Sequence, residues 1–417
     1  MSAPCTPGKP PHLLTLVHTS AALLAGASLL GTLGDGLEER GIALAFGVLV
    51  TVGELTRWTG AEGREAAPLG AAGALSYALL GEAGGHPTHH GVLQVGAVVL
   101  AASLLGSVPH IARGRPVLDH LARRVLTVGF AAVCFQPLYN QGTFQGWGPG
   151  YALLLLAILV LTALCDAVLA AALAHSRTRW PFGPLLRDEL RATLGIGSAV
   201  CATGAVMALA VAVVGLWALP VFSLPLLLTQ MSLRRYAAVR TTYRQTIASL
   251  ARATEIAGYT PAGHARRVAA LSREVGRDLG LSEAELTVLE YAALMHDIGQ
   301  LSLVDPVPAG ATAGLPVEEQ RRIALLGGAV VRQTGVPAQV ATVVERLADP
   351  CPEQPVAARI VRAVNAYEEK ARDAGPDGPL KALEELRLGT AGDYAPEVVG
   401  SLARVLARDC LTWPVAG

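Results

Sequence analysis

Charge is scarce in this chain: only 16% of its 417 residues are Asp, Glu, Lys or Arg, against about a quarter in an ordinary soluble domain. With 52% of the residues hydrophobic, that scarcity excludes a chain surrounded by water along its whole length. There is no excess of positive charge either, since the formal net charge is zero. Without a basic surplus to meet a phosphate backbone, DNA and RNA are not expected as partners. Paired cysteines are also missing. Cys5, Cys134, Cys165, Cys201, Cys351 and Cys410 are scattered with no Cys-x-x-Cys pair, so they read as small apolar residues and not as a disulfide or zinc framework. Finally, no stretch alternates apolar and polar residues with period two, so a sheet is not expected.

What charge there is lies unevenly, with 23 charged residues in positions 1–230 and 43 in the last 187. Two regions with different solvents follow. The first consists of apolar stretches separated by short polar loops, and a bilayer core takes about 20 apolar residues per helical span. Eight spans are read, at residues 13–33, 41–58, 66–80, 92–111, 125–139, 151–173, 194–214 and 216–231. The third and fifth are short, and Pro220 and Pro225 would kink the last. Basic residues concentrate on the cytoplasmic side of membrane proteins. With the N-terminus inside, the inner segments hold Lys9; Arg57 and Arg64; Arg113, Arg115, Arg123 and Arg124; and Arg177, Arg179, Arg187 and Arg191. The outer loops then hold only Arg40. A multi-pass protein of the cell membrane with both termini in the cytoplasm is therefore expected, with the lipid bilayer as its first partner. The first stretch is too long for a cleaved signal peptide and lacks a small-residue cleavage site.

Within this region Glu54 and Asp166 are acids in or near apolar helices, where charge is costly. Glu54 is expected to reach the headgroups at the inner boundary, and Asp166 to pair with a polar residue of a neighbouring helix. The outer run His86-Pro87-Thr88-His89-His90 could bind a metal or respond to pH, but without an acid or thiol it reads better as a solvated loop. Residues 232–256 contain neither Gly nor Pro, so the last span is expected to continue as a connecting helix.

Residues 257–410 read as helices. Thr260-Pro261 has the form of a cap and first turn, and Val268, Leu271, Val275 and Leu279 follow at helical spacing. Ser282 and Glu285 form a capping box for a second helix, whose C-terminal end delivers His296-Asp297 before Gly299. Further helices are expected from Pro316 to Val331, from Pro337 to Leu347 and from Pro355 to about Arg372. An imidazole beside a carboxylate at a helix end can hold a divalent metal, which points to phosphoester chemistry.

These residues resemble a known family. The runs Gly258-Tyr259-Thr260-Pro261-Ala262-Gly263-His264-Ala265-Arg266-Arg267-Val268 and Ala293-Leu294-Met295-His296-Asp297-Ile298-Gly299, with the tail Ala382-Leu383-Glu384-Glu385-Leu386 and Pro396-Glu397-Val398-Val399, resemble the HD superfamily of metal-dependent phosphohydrolases. Within it they are most similar to the HD-GYP branch, the relatives of cyclic di-GMP phosphodiesterases. The resemblance implies an all-helical domain and three metal ligands, His264, His296 and Asp297, with Asp297 also catalytic. Asn365 stands where the family has its closing aspartate. Other positions depart from the pattern: Gln300 replaces a lysine, Ile323, Leu347 and Ala348 stand near expected histidines, and Asp349-Pro350-Cys351-Pro352 replaces the Gly-Tyr-Pro segment.

Four ligands carrying one negative charge are too few for two cations about 4 Å apart. A single Mn, Fe or Mg ion is compatible, held weakly or absent, because such ions depend on ligand charge. The reading is an all-α protein: a helical membrane bundle over residues 1–231, a connecting helix over 232–256 and an HD-GYP-like domain over 257–410. The expected role is a membrane signalling protein whose degenerate domain binds a nucleotide, a cyclic dinucleotide, a protein partner or a second copy. A structural reading, in which the His-Asp pair survives as a hydrogen-bonded helix lock, competes with metal binding. The alternative is an active metal-dependent phosphohydrolase acting on a nucleotide such as cyclic di-GMP.

Overall fold

A computed structural model describes residues 12–408, apart from 60–64, 115, 116, 144–148, 179, 305, 306, 308, 309 and 374–377. The chain divides into two compact units, one over Gly8–Val239 and one that includes Arg240–Gly417. Both are built from helices, as the absence of period-two patterning predicts.

In the first unit α1 spans His12–Asp35, α2 Arg40–Leu55, α3 Pro68–Ala78, α4 Val92–Ala112, α5 Leu118–Asn140, α6 Pro149–Thr178, α7 Phe182–Ala192 and α8 Ser198–Val214. Helix α9, Ala218–Ile256, begins in this unit and ends in the other. Two antiparallel pairs of two-residue strands are the only strands among the described residues: β1 (Trp58–Thr59) with β2 (Glu65–Ala66), and β3 (Glu82–Ala83) with β4 (His86–Pro87). Each of the eight apolar stretches read from the sequence falls on a helix. Among the described residues, five helical runs are long and apolar enough to cross a membrane, the last of them Ser198–Ile256, which takes in most of the final two stretches. The fifth stretch is longer than expected, because α5 starts at Leu118 and its charged first turns are held by other helices. There Asp119 accepts from Arg177, and the Arg123 guanidinium grips Asp166 through two bonds of 2.6 Å. The segment around Arg187 and Arg191, read as an inner loop, is the short helix α7.

Glu54 does not reach the surface. Its side chain is fully buried, with His120 Nε2 at 2.8 Å and Arg124 at 3.1 Å. Glycine makes the room: a Cβ on Gly53 would lie 2.2 Å from the Gly70 nitrogen, and one on Gly106 2.5 Å from the Glu54 Cβ. Small residues at such crossings let apolar helices approach closely. Of the histidines expected in an outer loop, His86 and His89 are exposed, but His90 is buried and stacks on Tyr77 with ring centroids 4.6 Å apart. The solvated-loop reading holds for the first two only.

In the second unit α10 spans His264–Asp278, α11 Glu283–Met295, α12 Val317–Arg332, α13 Ala338–Glu345, α14 Val356–Asp373, α15 Gly378–Leu388 and α16 Pro396–Arg408. The periodic residues of α10 and α11 supply its core, with Val268, Val275, Leu286, Leu289 and Met295 packed against Val344, Ile360, Val364, Leu386 and Leu402. The capping box of α11 forms as expected, Ser282 accepting from the Glu285 amide and Glu285 from the Ser282 amide. Thr260 does not cap α10. Its hydroxyl bonds Thr254, and α10 begins at His264 after Gly263, whose φ of 74° is a turn that glycine adopts without strain.

Candidate metal centre

Helix geometry decides where the site forms. His264 is the first residue of α10, and its side chain is buried by the helices packed around it. His296 follows the last residue of α11, where the chain turns into the short 3₁₀ segment Ile298–Ser302 that begins directly after Asp297. Asn365 lies in the middle of α14. These elements, up to 101 residues apart in sequence, bring the four residues together.

His264 Nε2 lies 3.4 Å and His296 Nε2 3.0 Å from Asp297 Oδ2, and His296 Nε2 lies 3.2 Å from Asn365 Oδ1. Each imidazole is held from behind. His264 Nδ1 donates to Glu368 at 2.5 Å, and His296 Nδ1 donates to the Ala293 carbonyl at 2.7 Å. Both rings therefore turn Nε2 toward the same point, the arrangement by which a second partner orients a metal-bound histidine. Gln300 donates to Asp297 Oδ1 at 2.8 Å and leaves Oδ2 facing inward. His264 Nε2 and Asp297 Oδ2 are buried, and their contacts at this point are with each other and with His296 Nε2. Polar atoms in a protein interior need partners, and a divalent ion coordinated by these atoms would take the place of the contacts they make among themselves. His264, His296 and Asp297 are the one such His, Cys, Asp or Glu group among the described residues.

The electrostatics are those of a tightly coupled cluster. Burial opposes charge on every member, yet Asp297 is held far below the usual carboxylate range by His296 and His264. His264 is raised to about 10 by its bonds to Asp297 and Glu368, against the depressing effect of burial, and His296 is also raised, chiefly by Asp297. Because only a neutral imidazole can ligate a metal, an ion at this point would have to displace the protons that Asp297 draws onto His264 and His296.

Two carboxylates escaped the sequence reading. Glu368, held near 2 against burial by His264 and Arg267, lies behind His264. Glu369, which burial and the nearby Asp297 push upward, lies behind Asn365. In the run Tyr367-Glu368-Glu369-Lys370 they look like a solvated helix face. The one available signal was spacing, since Glu368 and Glu369 follow Asn365 by three and four residues and so share its side of a helix.

A pocket of about 170 Å³ opens beside the cluster, walled by His296, Asp297, Asn365, Thr312, Arg362 and Tyr394. Ile323, Leu347 and Ala348 line it too, so the positions expected near further histidines present apolar surface to the site.

No curated protein and no solved structure matches the chain. Residues 262–370, which carry His264, the His296-Asp297 pair and Asn365, match the family model of the HD domain.

Proposed function

We propose that this chain is an integral membrane signalling protein whose HD-type domain holds one divalent ion and, beside it, a phosphate-bearing ligand such as a nucleotide, serving as a regulatory module and not as a two-metal hydrolase. One observation carries the reading: the buried His264 Nε2 and His296 Nε2 lie 3.4 and 3.0 Å from Asp297 Oδ2, and Asn365 Oδ1 lies 3.2 Å from His296 Nε2, so that four potential ligand atoms converge. A divalent ion there supplies Lewis acidity toward a phosphoryl oxygen. The chain supplies the rest. Glu368 and the Ala293 carbonyl fix both rings, Gln300 fixes the carboxylate, and Arg362 places a guanidinium on the pocket wall, where it suits an anionic group. Apolar Ile323, Leu347 and Ala348 supply no ligands for a second ion, which speaks against in-line cleavage of cyclic di-GMP by a metal pair.

Single-metal phosphohydrolysis is the second reading, favoured by a carboxylate kept ionised beside two fixed imidazoles. Both are tested on the full chain purified in detergent and loaded with Mn²⁺. The expected result is one ion per chain, lost in His296→Ala. Absence of stoichiometric metal overturns both readings. Turnover of a model phosphodiester or phosphomonoester that His296→Ala abolishes selects the second.

A further inference from the structure

Asn365 brings an oxygen but no charge to the metal cluster, and the nearest charge on its own helix stands one turn further along. Glu369 is buried, with 3% of its surface exposed, and every contact it makes is with a donor. Its Oε1 accepts from Asn365 Nδ2 at 2.8 Å, from the Thr312 amide at 3.2 Å and from the Thr312 hydroxyl at 3.4 Å, while Oε2 accepts from the Ala313 amide at 3.1 Å. A carboxylate only accepts. The side-chain amide of Asn365 must then turn its NH₂ toward Glu369, which leaves its carbonyl oxygen on the side of His296.

We infer that Asn365 and Glu369 act as one unit at the metal centre, Glu369 being a positioning residue that fixes the Asn365 carbonyl toward the ion and supplies from behind the negative charge that Asn365 lacks. The inference rests on the single-metal reading above. Its physical content is an orientation and a charge. With Gln at 369 at least one of the four donors facing that side chain meets an NH₂ group, and Asn365 can reverse and present its own NH₂ to the ion. An aspartate at 365 beside Glu369 would put two carboxylates where an amide donor now bridges them at 2.8 Å, so the added charge is offset by repulsion and by the lost bond. In the E369Q background the same aspartate has a donor to face, and its charge acts on the ion undiminished.

The test is Mn²⁺ affinity of the full chain in detergent, followed by calorimetric titration and by the electron paramagnetic resonance of free Mn²⁺, with far-UV circular dichroism to confirm folding. Removing an outer partner of a metal ligand costs about 10- to 100-fold in affinity, so E369Q is expected to bind about tenfold or more weakly. N365D is expected to raise affinity by no more than about threefold in the natural background and by about tenfold or more in the E369Q background, the scale set by the same outer-shell effect. Equal gains in both backgrounds, or an E369Q affinity within about twofold of the natural protein, would refute the pairing and leave Glu369 as a tie for the Thr312-Ala313 turn. Should E369Q fail to fold, N365D alone decides: a gain well above threefold refutes the pairing, and a smaller gain or a loss supports it. Failure of the natural protein to bind Mn²⁺ sinks the single-metal reading itself, a result distinct from these.

Discussion

An alanine at position 299 would set its Cβ 2.1 Å from the Ile323 carbonyl oxygen, 2.8 Å from the Gly327 nitrogen and 3.0 Å from the Ile323 carbonyl carbon. All three are backbone atoms of α12, so no side-chain rotation relieves the overlap. Either α12 or the 3₁₀ segment that follows Asp297 must move. Overpacking of this kind costs about 1–3 kcal/mol and occasionally more. If that cost appears as easier local opening, the amides of Ala293, Leu294 and Met295 should exchange with deuterium about 5- to 150-fold faster, at tenfold per 1.4 kcal/mol. Two further glycines calibrate the scale. A Cβ at Gly327 would meet Val344 Cγ1 at 3.2 Å and the Gly299 nitrogen at 3.3 Å, and one at Gly314 meets nothing within 4 Å. Gly327→Ala should be close to neutral, since mild crowding is countered by up to about 1 kcal/mol of helix propensity, and Gly314→Ala should be neutral or slightly stabilising. Hydrogen-exchange mass spectrometry of the full chain in detergent reads all three. Natural exchange rates over residues 293–295 in Gly299→Ala would refute the argument that this close approach positions the His-Asp pair.

Glu368→Ala should weaken Mn²⁺ binding about 10- to 100-fold by releasing His264 Nδ1, measured by titration; unchanged affinity would remove Glu368 from the site. Asp278 is bonded by Ser401, Arg404 and Arg408, which outweigh burial and hold its carboxyl below the ordinary value. Because its folded pKa lies below its unfolded one, its stabilisation is complete above about pH 4, the unfolded value, and is lost as pH falls from there through the lower folded pKa. Asp278→Asn should therefore destabilise the fold at pH 7 and flatten the acid limb of a urea-unfolding series, and an unchanged limb would contradict this. Glu54→Ala deprives the partly buried His120 and Arg124 of this buried carboxylate and should cost the first unit about 3–5 kcal/mol, read as earlier thermal aggregation in detergent. An unaltered aggregation temperature would show that the pair contributes nothing.

The helices were legible because their signals are local. Val268, Leu271 and Val275 repeat at the pitch of α10, Ser282 and Glu285 cap α11, and the apolar stretches before residue 231 are too long and too poor in charge to be anything but helix. Cap chemistry was less decisive. Thr260-Pro261 carries the composition of a helix start, but the left-handed turn at Gly263 postpones α10 to His264.

His264, His296, Asp297 and Asn365 were named through the resemblance to the HD superfamily, which rests on residue types and their order along the chain. Their partners were not. Glu368 and Glu369 drew no notice in the sequence, and Glu54 was expected to reach the headgroups, because burial and the direction of a carboxylate depend on elements tens to a hundred residues distant, such as α10 for Glu368 and α5 for Glu54. Local periodicity is set by neighbours along the chain. Whether a charge is solvated, paired or aimed at a metal is set by what packs against it in space, and only the tertiary structure decides that.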